Sequence, residues 1–253
     1  MKKTSGTGWA GIVSCMAAAV LATACQTTDT ATARYSVGTA VTDSLQIGSK
    51  QIPLPAGKWT VASHRISPST AGTPMHHVAL VDTRKNAKAI LVVFSINVEG
   101  ANRGMAGWQT LPACFRDDMH FAYAGESVAG GNQACWFINH SPMTTTNRSA
   151  QIYRDVMDYV KSHGIRVPIN TIYAGYRIAD SLDALTIHYY FNPEADGFVP
   201  PSATNWRSSD WHKDRVYLDP SKVAYIEKMK RQGADLFEQL KLGFAGKLTA
   251  ARQ

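Results

Sequence analysis

The sequence predicts an α+β fold: a single domain with a mainly antiparallel sheet and two principal helices, the longer at the C-terminus. Three observations lead there. Strand-like segments come in pairs joined by short, turn-rich connections, the pattern of hairpins rather than of βαβ units. One segment in mid-chain and one at the end carry apolar residues at the helical spacing of three and four. The 253 residues are 45% hydrophobic and 18% charged, which supplies a large core and excludes a disordered chain.

The elements follow in order. Ile52-Pro53-Leu54-Pro55-Ala56-Gly57 is a rigid turn whose prolines exclude a central strand, and it leads into a strand over Lys58–Ile66. Val78–Asp82 and Ala89–Val98 flank the loop Arg84–Lys88 as a hairpin. In the second of these strands Ile90, Val92, Phe94, Ile96 and Val98 share one face. Leu91 and Val93 lie opposite and give way to Ser95 and Asn97, so burial on both sides is expected at its start and on one side at its end. Phe121–Ser127 and Gln133–Asn139 bracket Gly130-Gly131 as a second hairpin.

Ser149–His163 is an amphipathic helix with Ile152, Val156, Tyr159 and Val160 on one face, stopped by Gly164 and Pro168. Thr171–Ile178 and Leu185–Phe191 alternate around Asp180–Asp183. Asp219 caps the last helix and Pro220 fills its first position. Val223, Ile226, Gly233, Phe237, Leu240 and Phe244 form its apolar stripe, with a bend expected at Gly233.

The N-terminus is of a different kind. Lys2 and Lys3 precede about 13 uncharged residues, Trp9 to Leu21, the length of a signal-peptide apolar region and too short to span a bilayer comfortably. Leu21-Ala22-Thr23-Ala24-Cys25 follows, and it resembles the lipobox of bacterial lipoproteins. That resemblance covers the first 25 residues and implies lipidation of Cys25, cleavage before it, and anchoring in a membrane. Ala22-Thr23-Ala24 also fits an ordinary secretory cleavage site; both cut at the same bond, and only the fate of Cys25 differs. Cysteine parity favours lipid: Cys15 leaves with the signal, and with Cys25 acylated an even pair remains, Cys114 and Cys135. Gln26 stands where inner-membrane lipoproteins of enteric bacteria usually carry Asp, so the resemblance implies an outer-membrane address facing the periplasm.

The expected organisation is therefore signal peptide 1–24, lipidated cysteine and flexible tether 25–42, and one globular domain 43–253. Removing the signal lowers the net charge from +7 to +5. That charge suits anionic lipid headgroups, lipopolysaccharide or acidic glycans, and the compartment makes envelope proteins or glycans the expected partners. No Lys/Arg block tracks phosphates, and nucleic acid is not expected. In an oxidising compartment Cys114 and Cys135 are expected to bond, pinning the loop Phe115–Asp118 to the sheet.

Local catalytic signatures are absent. There is no H-E-x-x-H, no C-x-x-C, no G-x-S-x-G and no S-x-x-K, so neither metal nor cofactor is expected. His76 and His77 are adjacent on a strand and point to opposite faces. His64, His120 and His140 are free to join histidines in space. His76, His77, Asp118 and His120 are the candidate catalytic residues, for a hydrolase acting on an envelope polymer. The loop from Pro200 to His212 is the most distinctive segment: Trp206, Arg207, Trp211, His212 and Arg215 combine indoles with cations, a pairing that stacks on sugars or anchors a protein partner. Both indoles can equally fasten the loop to the domain. The leading expectation is a binding or envelope-assembly module.

Overall fold

The computed structural model describes residues 34–68, 74–98, 108–143, 150–201 and 205–248. Ten strands and three α-helices are present among them: β1 Ala40–Val41, β2 Ser44–Ile47, β3 Lys50–Pro53, β4 Trp59–Pro68, β5 Pro74–Asp82, β6 Ala89–Asn97, β7 Phe121–Ser127, β8 Gln133–Pro142, α1 Gln151–Ser162, β9 Asn170–Ala179, β10 Ala184–Phe191, α2 Lys213–Val216 and α3 Pro220–Phe244. Eight strands make one sheet in the order β1-β4-β5-β6-β10-β9-β8-β7, and β2-β3 form a separate hairpin. Every neighbouring pair is antiparallel. Two meanders, β4-β5-β6 and β7-β8-β9-β10, thus meet where β6 pairs β10. This is the expected α+β domain with its longest helix at the C-terminus.

α3 closes one face of the sheet. Tyr225, Ile226, Met229, Phe237, Leu240 and Phe244 pack with Val61, Val78, Val92, Phe94, Trp136, Tyr176 and Tyr189. Asp219 accepts from the backbone N–H of Ser221 and Lys222, a cap that contributes about 1 kcal/mol. Gly233 lies inside an unbroken helix and is buried. A Cβ there would lie 2.4 Å from Trp136 Cζ3, so glycine is what lets the indole press against the helix. Val223, expected in the stripe, is exposed, and Tyr225 and Met229 take the buried positions.

α1 covers part of the opposite face. Ile152, Val156 and Val160 pack on Ala62, Ala79, Val81, Leu91 and Val93. Gly164 ends this helix with φ of +62°. The Cys114–Cys135 disulfide forms as expected and joins the 3-10 turn Pro112–Phe115 to β8. Cys114, Met119, Cys135 and Phe137 make a small cluster that covers a second part of the same face.

One boundary and one burial differ from expectation. The fold starts earlier than residue 43: Tyr35 is buried, its hydroxyl accepts from Gln46 N at 3.0 Å, and β1 pairs β4. At the end of β6, Asn97 is fully buried where a solvated face was expected. Among the described residues no helix is long and apolar enough to cross a membrane.

Candidate functional site

Cys25 lies outside the described residues, as do 202–204 of the tryptophan loop. The remaining candidates fall into separate places.

His76 and His77 point to opposite faces, as strand geometry requires. His76 lies on the α3 side, where its Nδ1 is 3.2 Å from His64 Nε2. Burial, and then the neighbouring imidazoles, hold its pKa below the usual range. His77 lies on the other side between two serines: Ser67 Oγ is 2.8 Å from its Nε2 and Ser95 Oγ 2.7 Å from its Nδ1. Burial lowers its pKa too, so the ring is neutral at pH 7. Asp118 is held in an ion pair with Arg116, which pulls its carboxyl below the usual carboxylate range.

His120 and the tryptophan loop, far apart in sequence, come together. His140 stacks on Trp206 with ring centres 5.1 Å apart, and its Nε2–H donates to the Trp206 carbonyl at 2.9 Å. His120 and His212 each lie with ring centres 5.7 Å from that of His140. His140 is 1% exposed. Its Nδ1 and the His120 Nε2 are buried without a hydrogen-bond partner. Burial pushes His140 to a pKa of about 4 and His120 to about 3. These rings are therefore neutral, His140 stacked on an indole and His120 tilted against His140. Among the described residues no group of three or more His, Cys, Asp or Glu side chains is arranged to hold a metal ion.

Trp211 is 1% exposed and belongs to the core, against Phe198 and Tyr225. Arg207 is exposed, and Arg215 is exposed while bonding back to the Ser208 carbonyl at 3.0 Å. His212 caps α2 by accepting from Asp214 N at 3.3 Å. The loop is thus fastened to the domain by one buried indole and one stacked on a histidine.

Between α1 and the β5–β6 turn lies a cavity of about 710 Å³. Val81, Leu91, Val156 and Val160 form its buried wall, and Arg84, Lys85 and Arg166 its exposed edge. Arg84 is tied to Asp82 at 2.6 Å, and Arg166 reaches Glu194 only at 3.6 Å. An apolar wall under a cationic edge suits an anionic amphiphile. Sequence reasoning did not find this cavity, because its wall comes from a sheet and a helix that local patterning cannot dock. It also passed over Arg177, although a single arginine inside the otherwise uncharged run Asn170–Ala179 was a legible signal.

Comparison with protein-family models, with curated proteins and with solved structures gives no significant match.

Proposed function

We propose that this protein is a bacterial lipoprotein, anchored through lipid on Cys25 in the outer membrane, whose domain binds an envelope component in the periplasm. The lipobox-like Leu21–Cys25 supports the anchor. The single observation that carries the binding role is the cavity, whose apolar wall and cationic edge match an acyl chain ending in an anionic headgroup. Acyl burial there contributes on the order of 0.8 kcal/mol per methylene, and the edge selects the charge.

Two measurements test the reading. Mass spectrometry of protein extracted from its own membranes should show an acyl mass on a chain that begins at Cys25; a chain without lipid removes the anchor. Soluble domain titrated with lysophosphatidylglycerol should bind saturably. Binding should weaken about tenfold in a K85E/R166E double variant. Equal affinity for the neutral detergent dodecyl maltoside would remove the ligand class.

One observation favours the hydrolytic alternative, a periplasmic enzyme acting on an envelope polymer. In the chain Ser67–His77–Ser95, a neutral imidazole touches one serine that can lose a proton and another that can orient the ring. Turnover of an acyl ester, abolished by S67A and by H77Q with the fold retained, would carry that alternative; unchanged turnover in S67A would end it.

A further inference from the structure

The second face of the sheet holds a cation without a counter-ion. Arg177 stands on β9, opposite Thr186 of β10 and Cys135 of β8. Its Nε donates to Gln133 Oε1 at 2.9 Å, its Nη1 to Thr186 Oγ1 at 2.9 Å, and its Nη2 to the Gln109 carbonyl at 3.5 Å. All three acceptors are neutral. A guanidinium carries five N–H groups, so these contacts leave two unused. Among the described residues Arg177 has no ion pair, whereas Arg65, Arg84 and Arg116 each hold an aspartate. The consequence shows in their acidities. Carboxylates raise the pKa of those three, while burial pulls Arg177 down to about 10.

A second unmet donor lies beside it. The guanidinium carbon is 5.9 Å from the centre of the Trp108 ring, and the Trp108 indole N–H is buried without an acceptor. Gln133 fixes the two together. It is 1% exposed, accepts from Arg177, and donates from Nε2 to the Trp108 carbonyl at 2.7 Å. Two pairs further along the strands, on the same face, stand Ala179 and Ala184, which are small, and Asn97 of β6 pairs with Ala184. Asn97 donates to the Pro74 carbonyl at 2.8 Å, and its Oδ1 is buried without a donor.

Buried polar groups are normally paired, and a desolvated charge without a partner is costly. Here a guanidinium and an indole N–H want an oxyanion, and an amide oxygen on the same face wants a donor. One positive charge is balanced by one negative charge, which favours a carboxylate over a doubly charged phosphate. A carboxylate also presents two oxygens to the planar fork.

We propose that Arg177 and Trp108 form a carboxylate-binding site for a ligand of the C-terminal peptide type, with an N–H near the carboxylate for Asn97. This site uses none of the cavity's residues and stands independently of the amphiphile reading.

The test follows the indole N–H signal of Trp108 in ¹⁵N-labelled protein, assigned by its loss in W108F, during titration with N-acetylglycine at constant pH and ionic strength. A saturable shift with a midpoint in the millimolar range is expected, with none from the methyl ester or from inorganic phosphate. R177Q should weaken the affinity at least tenfold with spectral dispersion retained. R177K keeps the charge but loses the fork; it should weaken binding as well, and it decides the matter if R177Q does not fold. No saturation, an equal response to the ester, saturation by phosphate alone, or undiminished affinity in the arginine variants would each overturn the proposal.

Discussion

The two faces of the sheet are finished in different ways. Under α3 the surface is mainly apolar, with His76 and His140 among its buried side chains, and the buried cation there has its counter-ion: Lys50 is 8% exposed, lies 3.0 Å from Asp183, and sits over the Phe244 ring at 4.2 Å. The opposite face is covered in pieces, by α1 at one end and by the disulfide-linked turn at the other. Arg177 on that face has hydroxyl, amide and carbonyl partners but, among the described residues, no carboxylate. The same chain completes a buried charge pair in one place and leaves one open in another. The closed side is built for stability. Both sides keep buried groups without a hydrogen-bond partner, His120 and His140 on the α3 side and Trp108 and Asn97 opposite, but the opposite ones lie beside a cation that has no carboxylate among the described residues.

The largest effect of a single substitution should come from breaking the completed pair. Asp183→Ala leaves Lys50 buried without its charge partner and should cost about 3–5 kcal/mol in urea unfolding. A D183A/K50M double variant should recover most of that loss, which distinguishes a stranded charge from lost packing.

Acid should undo the α3 side next. The unfolded chain binds histidine protons near pH 6.5, but His140 and His120 bind theirs in the folded state only near pH 4 and pH 3. Their contribution is complete above pH 6.5 and is lost as the pH falls towards 4 and then 3, on the order of 3 kcal/mol for His140 and 5 kcal/mol for His120. Thermal melts from pH 7 to pH 4 should show the decline, and H140Q should flatten it.

Removing the disulfide tests what holds the patchwork side. A C114A/C135A variant, or reduction, should cost roughly 3 kcal/mol for a bridge spanning 21 residues. Exchange of the β7 and β8 amides should rise more than that of β5 and β6.

The smallest effect is expected at Arg177. R177M removes an uncompensated charge and should change ligand-free stability by about 1 kcal/mol or less. A loss as large as that of Asp183→Ala would erase the distinction between the two cations.

Much of the fold was legible because it is local. Alternation placed β5 with β6, β7 with β8 and β9 with β10, and the Asp219-Pro220 cap started α3 where expected. The errors were those of partners. Gly233 was legible as a glycine in a helix, but not as a seat for Trp136, since that contact joins residues far apart in sequence. Asn97 looked solvated because a strand's period shows which face a side chain takes and not what covers that face. The candidate site was legible in fragments. The tryptophan loop and His120 each stood out, yet their meeting at His140 was not visible, and Arg177 beside Trp108 was missed.

By itself the sequence determined the fold class, the hairpins, both long helices with the Asp219 cap of α3 and the Gly164 stop of α1, and the cysteine pair, because turn chemistry, side-chain periodicity and parity act within short stretches of chain. Only the tertiary structure decided which face each helix covers, which buried charge finds a counter-ion, and which polar groups stay unmet. Those outcomes depend on the register of β6 against β10 and on the docking of α1 and α3. That docking is set by shape and burial between distant residues, which no local pattern records.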